Sequence, residues 1–202
     1  MLMRLAAVSV LCALGMLSLA ASSALALDKH CEASPAGGRH LDPAELGATQ
    51  ACFDAFDTAL ESTISGIGIQ QNLCSSLPAT DLSLSGAGQL RSAQSGIQDL
   101  EKTAKAKVRY FNAEKKFFRK GTVAGLLDGV VSELGNATTA DIAVYTEIEN
   151  ISRAWSGDDC GSAQESLTKA MEARSNAFNV YFHLSIAVDK LRLAAEPPHK
   201  KK

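Results

Sequence analysis

Residues 162–196 read SAQESLTKAMEARSNAFNVYFHLSIAVDKLRLAAE and run into Pro197-Pro198. Ala163, Leu167, Ala170, Ala177, Tyr181, Leu184, Val188, Leu191 and Ala195 recur at alternating intervals of three and four, with Arg174 as the charged member of the seam. Met171 and Phe178 widen the stripe. This is the period of an amphipathic helix of about five heptads. Ser162 to Glu165 has the form of a capping box, a serine and a glutamate each accepting the other's backbone N–H. The proline doublet cannot continue a helix. At about 1.5 Å per residue the rod is about 50 Å long, so it needs partners along its length.

The rest of the chain supplies them. Asp42-Pro43-Ala44-Glu45 is a helix start, with a capping aspartate, proline at the first helical position and glutamate three residues after the cap. Leu46, Phe53, Phe56, Leu60, Ile64 and Ile67 follow at helical spacing, Gly66 and Gly68 offer a bend, and Pro78 ends the segment. Ser83 to Gly88 reads as a turn. Beyond it Leu90, Ile97, Leu100, Ala104, Val108, Phe111 and Phe118 mark a second long helix, closed by Gly121. Val123 to Leu134 is a short apolar helix interrupted at Gly135-Asn136. Thr139 then caps another carrying Ile142, Tyr145, Ile148, Ile151 and Trp155. No strand alternation is present. The pattern predicts an all-α, antiparallel, up-down-up-down helical bundle whose third arm is broken into two shorter helices. A three-helix bundle with an irregular insertion is the alternative.

The ends divide from this domain. Arg4, the apolar run Leu5 to Leu19 and the small-x-small Ala24-Leu25-Ala26 predict a signal peptide over 1–26. An N-terminal arm (27–41), the bundle domain (42–196) and a basic tail (197–202) follow. The apolar run is short for a membrane span and no second candidate exists, so the expected location is secreted or extracellular, or periplasmic in a bacterium. Cys12 leaves with the leader; Cys31, Cys52, Cys74 and Cys160 remain, an even set that suggests two disulfides. Cys52 and Cys74 lie about 33 Å apart on an unbroken helix, too far to bridge. An antiparallel bundle brings the end of its first helix to the start of its last. The expected pairs are therefore Cys74 with Cys160 and Cys31 with Cys52. Sequons at Asn136 and Asn150 are glycosylation candidates in a eukaryotic host.

Charge is segregated. Between His40 and Leu90 there is no lysine or arginine against six acids, whereas Arg91 to Lys120 holds nine basic residues against Asp99, Glu101 and Glu114. Lys102, Lys105, Arg109, Lys116 and Lys120 fall within about 60° of a helical wheel. Such a ridge suits an extracellular protein partner or an acidic surface. Its plainer role is pairing with the acidic first helix. A net charge of −2 on an exported chain argues against nucleic acid. Gly121, Gly125 and Gly129, every fourth residue, suggest tight packing or local flexibility. Off the apolar seams stand Tyr110, Phe117 and Phe182, each a possible partner anchor.

Motifs for catalysis, metal, phosphate or dinucleotide cofactors are absent, and His183 falls off the seam as a surface residue. Cytokine-like bundles share the size and the two-disulfide economy, an analogy of architecture only. Cys52-Phe53-x-x-Phe56 with Cys74 resembles the cysteine-bounded first helix of secreted insect tsetse-EP-type domains, although the further cysteines of that family are missing. The expected function is non-enzymatic binding by a secreted or cell-surface-associated bundle, as ligand, surface antigen or receptor-like module. The alternative is a carrier that opens to hold a lipid or small apolar ligand.

Overall fold

The computed structural model describes residue 31 and residues 41–76, 79–118 and 121–195. The expected leader, most of the arm, Lys120 and the tail lie outside them. Four helices follow one another: α1 Pro43–Gln71, α2 Ala79–Glu114, α3 Thr122–Ser156 and α4 Cys160–Ala195. Among the described residues there is no strand, and no helix is long and apolar enough to cross a membrane. Neighbours around the bundle are α1–α4, α4–α3, α3–α2 and α2–α1, the antiparallel up-down-up-down order. The α3–α4 contact is the most extensive and α1–α2 the slightest.

Local chemistry explains the boundaries. Asp42 Oδ1 accepts from the backbone N–H of Ala44 at 2.9 Å, so α1 starts on the expected cap. The expected capping box at Ser162 is displaced. Asp159 is the cap, its carboxylate accepting from the Ser162 backbone N–H at 2.9 Å and from the Ser162 hydroxyl at 2.6 Å. Those bonds hold the Asp159 carboxyl below its usual pKa. Glu165 instead pairs with Lys169 one turn on, 2.7 Å away. Gly121, at φ +97°, stands at the N-cap of α3, a conformation that favours glycine.

Three expected interruptions do not occur. Ser83 to Gly88 lies inside α2, and Gly66 and Gly68 lie inside an unbroken α1. The third arm is one helix: α3 runs through Gly135-Asn136, and Thr139, the expected cap, donates its hydroxyl to Gly135 O at 3.0 Å. The reason is common to all three. Serine and glycine lower helix propensity by at most about 1 kcal/mol each, whereas packing on both sides holds the register. Across the α3 site, Val130, Leu134, Ala137 and Val144 are all fully buried.

The core has two parts. One gathers Phe53, Phe56, Phe111, Leu127, Leu134 and Leu184 near Cys31–Cys52; the other gathers Ile67, Val144, Ile148, Trp155, Leu167 and Ala170 near Cys74–Cys160. Both disulfides form as expected, with Cα separations of 5.1 and 5.8 Å. At the second pole Gln71 ties three helices together. It accepts from the Trp155 indole N–H at 2.7 Å and donates to Cys160 O at 2.8 Å. The α4 seam is buried from Ala163 to Leu191 except at Arg174. Met171 and Phe178, expected to widen that seam, are instead more than half exposed.

Candidate functional site

On α2 the exposed residues Lys102, Lys105 and Arg109 form the basic ridge, and Lys116 is exposed too. The helix ends at Glu114, however, so Lys116 sits in the following turn and not on the wheel that joined it to the others. Lys115, in that turn, pairs with Asp128 of α3. Lys105 bonds Glu101 within its own helix at 3.1 Å. The acids of α1 turn elsewhere. Asp57 and Glu61 bind Arg174 of α4 at 3.1 and 3.2 Å, and Glu45 binds Lys107 at 2.6 Å.

Beside the ridge, residues of α2 and α3 line an open groove of about 530 Å³. Ala104, Val108, Leu134 and Ile142 give it an apolar lining, and Glu101, Lys105 and Arg109 give it a charged one. Gly135 lies in the α3 wall, and a Cβ added there would meet nothing within 4 Å. Thr138 and Thr139 also line that wall, but their hydroxyls donate to helix carbonyls at 2.9 and 3.0 Å. The charged groups therefore dominate the polar chemistry offered to a partner. The lining thus combines apolar side chains with one acidic and two basic ones, Glu101, Lys105 and Arg109.

Two buried polar clusters lie beneath. Near the start of α1, Lys107 and Glu45 form an ion pair that is almost wholly out of solvent. Tyr110, expected off the seam, is buried beside it, and burial above all pushes its phenol up to about 12. In the middle of the bundle the Tyr181 hydroxyl donates to Asp141 Oδ2, while Asp141 Oδ1 has no hydrogen-bond partner among the described residues. Burial raises the Asp141 carboxyl to about 7, with Asp57 adding to the rise and the Tyr181 bond opposing it. Asp141 borders a partly open pocket of about 30 Å³ walled by residues such as Phe56, Leu60, Ile97 and Ile148.

Other expectations resolve as follows. Asn136 and Asn150 both lie within α3, donating to Glu133 and Glu147 at 3.2 Å each. Phe117 and Phe182 are about half exposed, and His183 is exposed next to Phe182. Gly121, Gly125 and Gly129 are not points of tight packing, because an added Cβ would meet nothing within 4 Å at any of them. No group of three or more metal-binding side chains occurs among the described residues. Sequence reading missed Lys107, Asp141 and Gln71. Lys107 and Asp141 carried one signal, a charged residue at a core-spaced position: Lys107 falls three residues after Ala104 and four before Phe111, and Asp141 three before Val144. Compared with protein-family models, with curated proteins and with solved structures, the chain matches none.

Proposed function

We propose that this protein works by binding, as a secreted or cell-surface interaction module that takes an acidic, amphipathic segment of an extracellular partner into the α2–α3 groove. The observation that carries this reading is the position of Arg109 and of Lys105, itself bonded to Glu101, on an apolar groove while Glu45, Asp57 and Glu61 of α1 are engaged by Lys107 and Arg174. Opposite charge at the flanks speeds encounter and sets register, and the apolar floor supplies affinity. Two disulfides are in keeping with an oxidising compartment, and the leader-like first 26 residues with export. The role is non-enzymatic.

The carrier alternative has the partly open pocket beside Asp141 as its support. At about 30 Å³ that space suits a water-sized guest and not an acyl chain, so α2 would have to swing from its slight contact with α1. The binding reading needs no such opening.

The test is affinity recovery from native extracellular material with three baits: the unaltered protein, Lys105→Glu/Arg109→Glu, and Ile142→Glu. A partner retained by the first and lost by the other two, at unchanged helicity, supports the groove. A partner held equally by all three removes it.

A further inference from the structure

Met171, Phe178, Phe182, Ile186 and Leu193 are 58, 52, 59, 36 and 65 % exposed. At about 100° per residue they fall within about 80° of arc along α4. They form one apolar stripe, interrupted at Ser175 and Asp189, and the core face of the same helix is already occupied by α1 and α3.

The stripe is symmetric in sequence about Phe182. Met171 and Leu193 lie eleven residues to either side, Ser175 and Asp189 seven, and Phe178 and Ile186 four. We propose that a second copy of this chain covers the stripe, two α4 helices packing antiparallel about a two-fold axis through Phe182. In that arrangement Met171 meets Leu193 of the second copy and Phe178 meets its Ile186. The two Phe182 rings meet on the axis. Asp189, the charged residue within the arc, faces the Ser175 hydroxyl, a donor it can accept from. Glu172 and Lys190 are both exposed and share one flank of the stripe, five turns apart. Antiparallel pairing sets Glu172 of each copy beside Lys190 of the other. In a parallel pair Glu172 of one copy and Lys190 of the other would lie five turns apart and on opposite sides of the seam, so neither would meet the other. The pattern thus selects one direction.

The area is sufficient. At about 200 Å² for a fully exposed side chain of this size, the five offer roughly 500 Å² per copy. A two-fold pair buries roughly 1,000 Å² from them alone, at the threshold of a stable interface before the flanking residues are added. The groove belongs to α2 and α3, so both copies keep it open and the pair is bivalent.

Sedimentation equilibrium reads the pairing. The expected result is twice the chain mass at micromolar concentration, falling to the single-chain mass in Phe182→Asp, which sets two carboxylates on the axis, with helicity unchanged. A direction-specific readout stands beside it, independent of that variant's folding. Met171→Cys mixed with Leu193→Cys is expected to give a mixed disulfide, and neither variant to cross-link with itself. A single-chain mass at high micromolar concentration overturns the proposal. So does a Phe182→Asp variant that remains paired, or Met171→Cys joining itself. A monomer in which Met171 resists oxidation would assign the stripe to the chain's own segments outside 41–195, and that also overturns it.

Discussion

Asp141 is a carboxyl in the middle of a bundle, with Tyr181 on one oxygen and no hydrogen-bond partner on the other among the described residues. Asp57 of α1 adds negative charge nearby, itself held by Arg174 of α4. Folding raises the Asp141 pKa from 3.8 to about 7. Between those values the folded chain keeps a proton that the unfolded chain has released, so stability falls as pH rises through the window and levels off above it. The full gap corresponds to about 4 kcal/mol. Asp141→Asn keeps an acceptor for Tyr181 and cannot ionise. It is expected to stabilise the protein by several kcal/mol at about pH 8 and by little at about pH 4, measured by urea unfolding at both. An equal gain at the two would show that charge is not the cause. Lys107 is a second charged residue placed in the core. Its position at core spacing was legible in the sequence, but its partner Glu45 stands 62 residues away.

At the scale of the helix, α3 runs without a break where Gly135-Asn136 reads as one. Fully buried neighbours on the α4-facing side hold the register, and glycine costs up to about 1 kcal/mol against alanine in a helix interior. Because an added Cβ at Gly135 meets nothing within 4 Å, Gly135→Ala is expected to stabilise the protein by about 0.5–1 kcal/mol in urea unfolding. A loss of stability would mean that the backbone there needs glycine's freedom. The α4 seam is the converse case. Its members were legible from spacing, including the anomaly at Arg174. What resolves the anomaly is α1, which brings Asp57 and Glu61 to the guanidinium. The basic ridge was legible over Lys102, Lys105 and Arg109 and failed at Lys116. A wheel assumes the helix continues, and α2 stops at Glu114.

Across the whole molecule, the two disulfides constrain very different lengths of chain, 21 residues for Cys31–Cys52 and 86 for Cys74–Cys160. In the chain-entropy account the longer loop contributes about 4–5 kcal/mol and the shorter about 3. Replacing Cys74 and Cys160 together by alanine is therefore expected to lower stability more than replacing Cys31 and Cys52, compared by denaturant midpoint. The reverse order would place more of the stabilisation in the packing around Cys31 and Cys52, both of which are buried. The long bridge also fastens the pole where Gln71 joins Trp155 and Cys160, so its loss is expected to appear first in Trp155 fluorescence.

From residue spacing came the all-α bundle of four arms, the Asp42 cap and, given antiparallel packing, both cysteine pairings, because helical period and chain reach are properties of the chain itself. Which charges lie inside, which apolar residues of α4 stay outside, and where a groove opens beside Arg109 were decided only in three dimensions. Burial depends on what another helix, dozens of residues away, places against a side chain. Leu167 and Met171, four residues apart on one helix, both read in the sequence as part of its apolar stripe; Leu167 is buried and Met171 is more than half exposed.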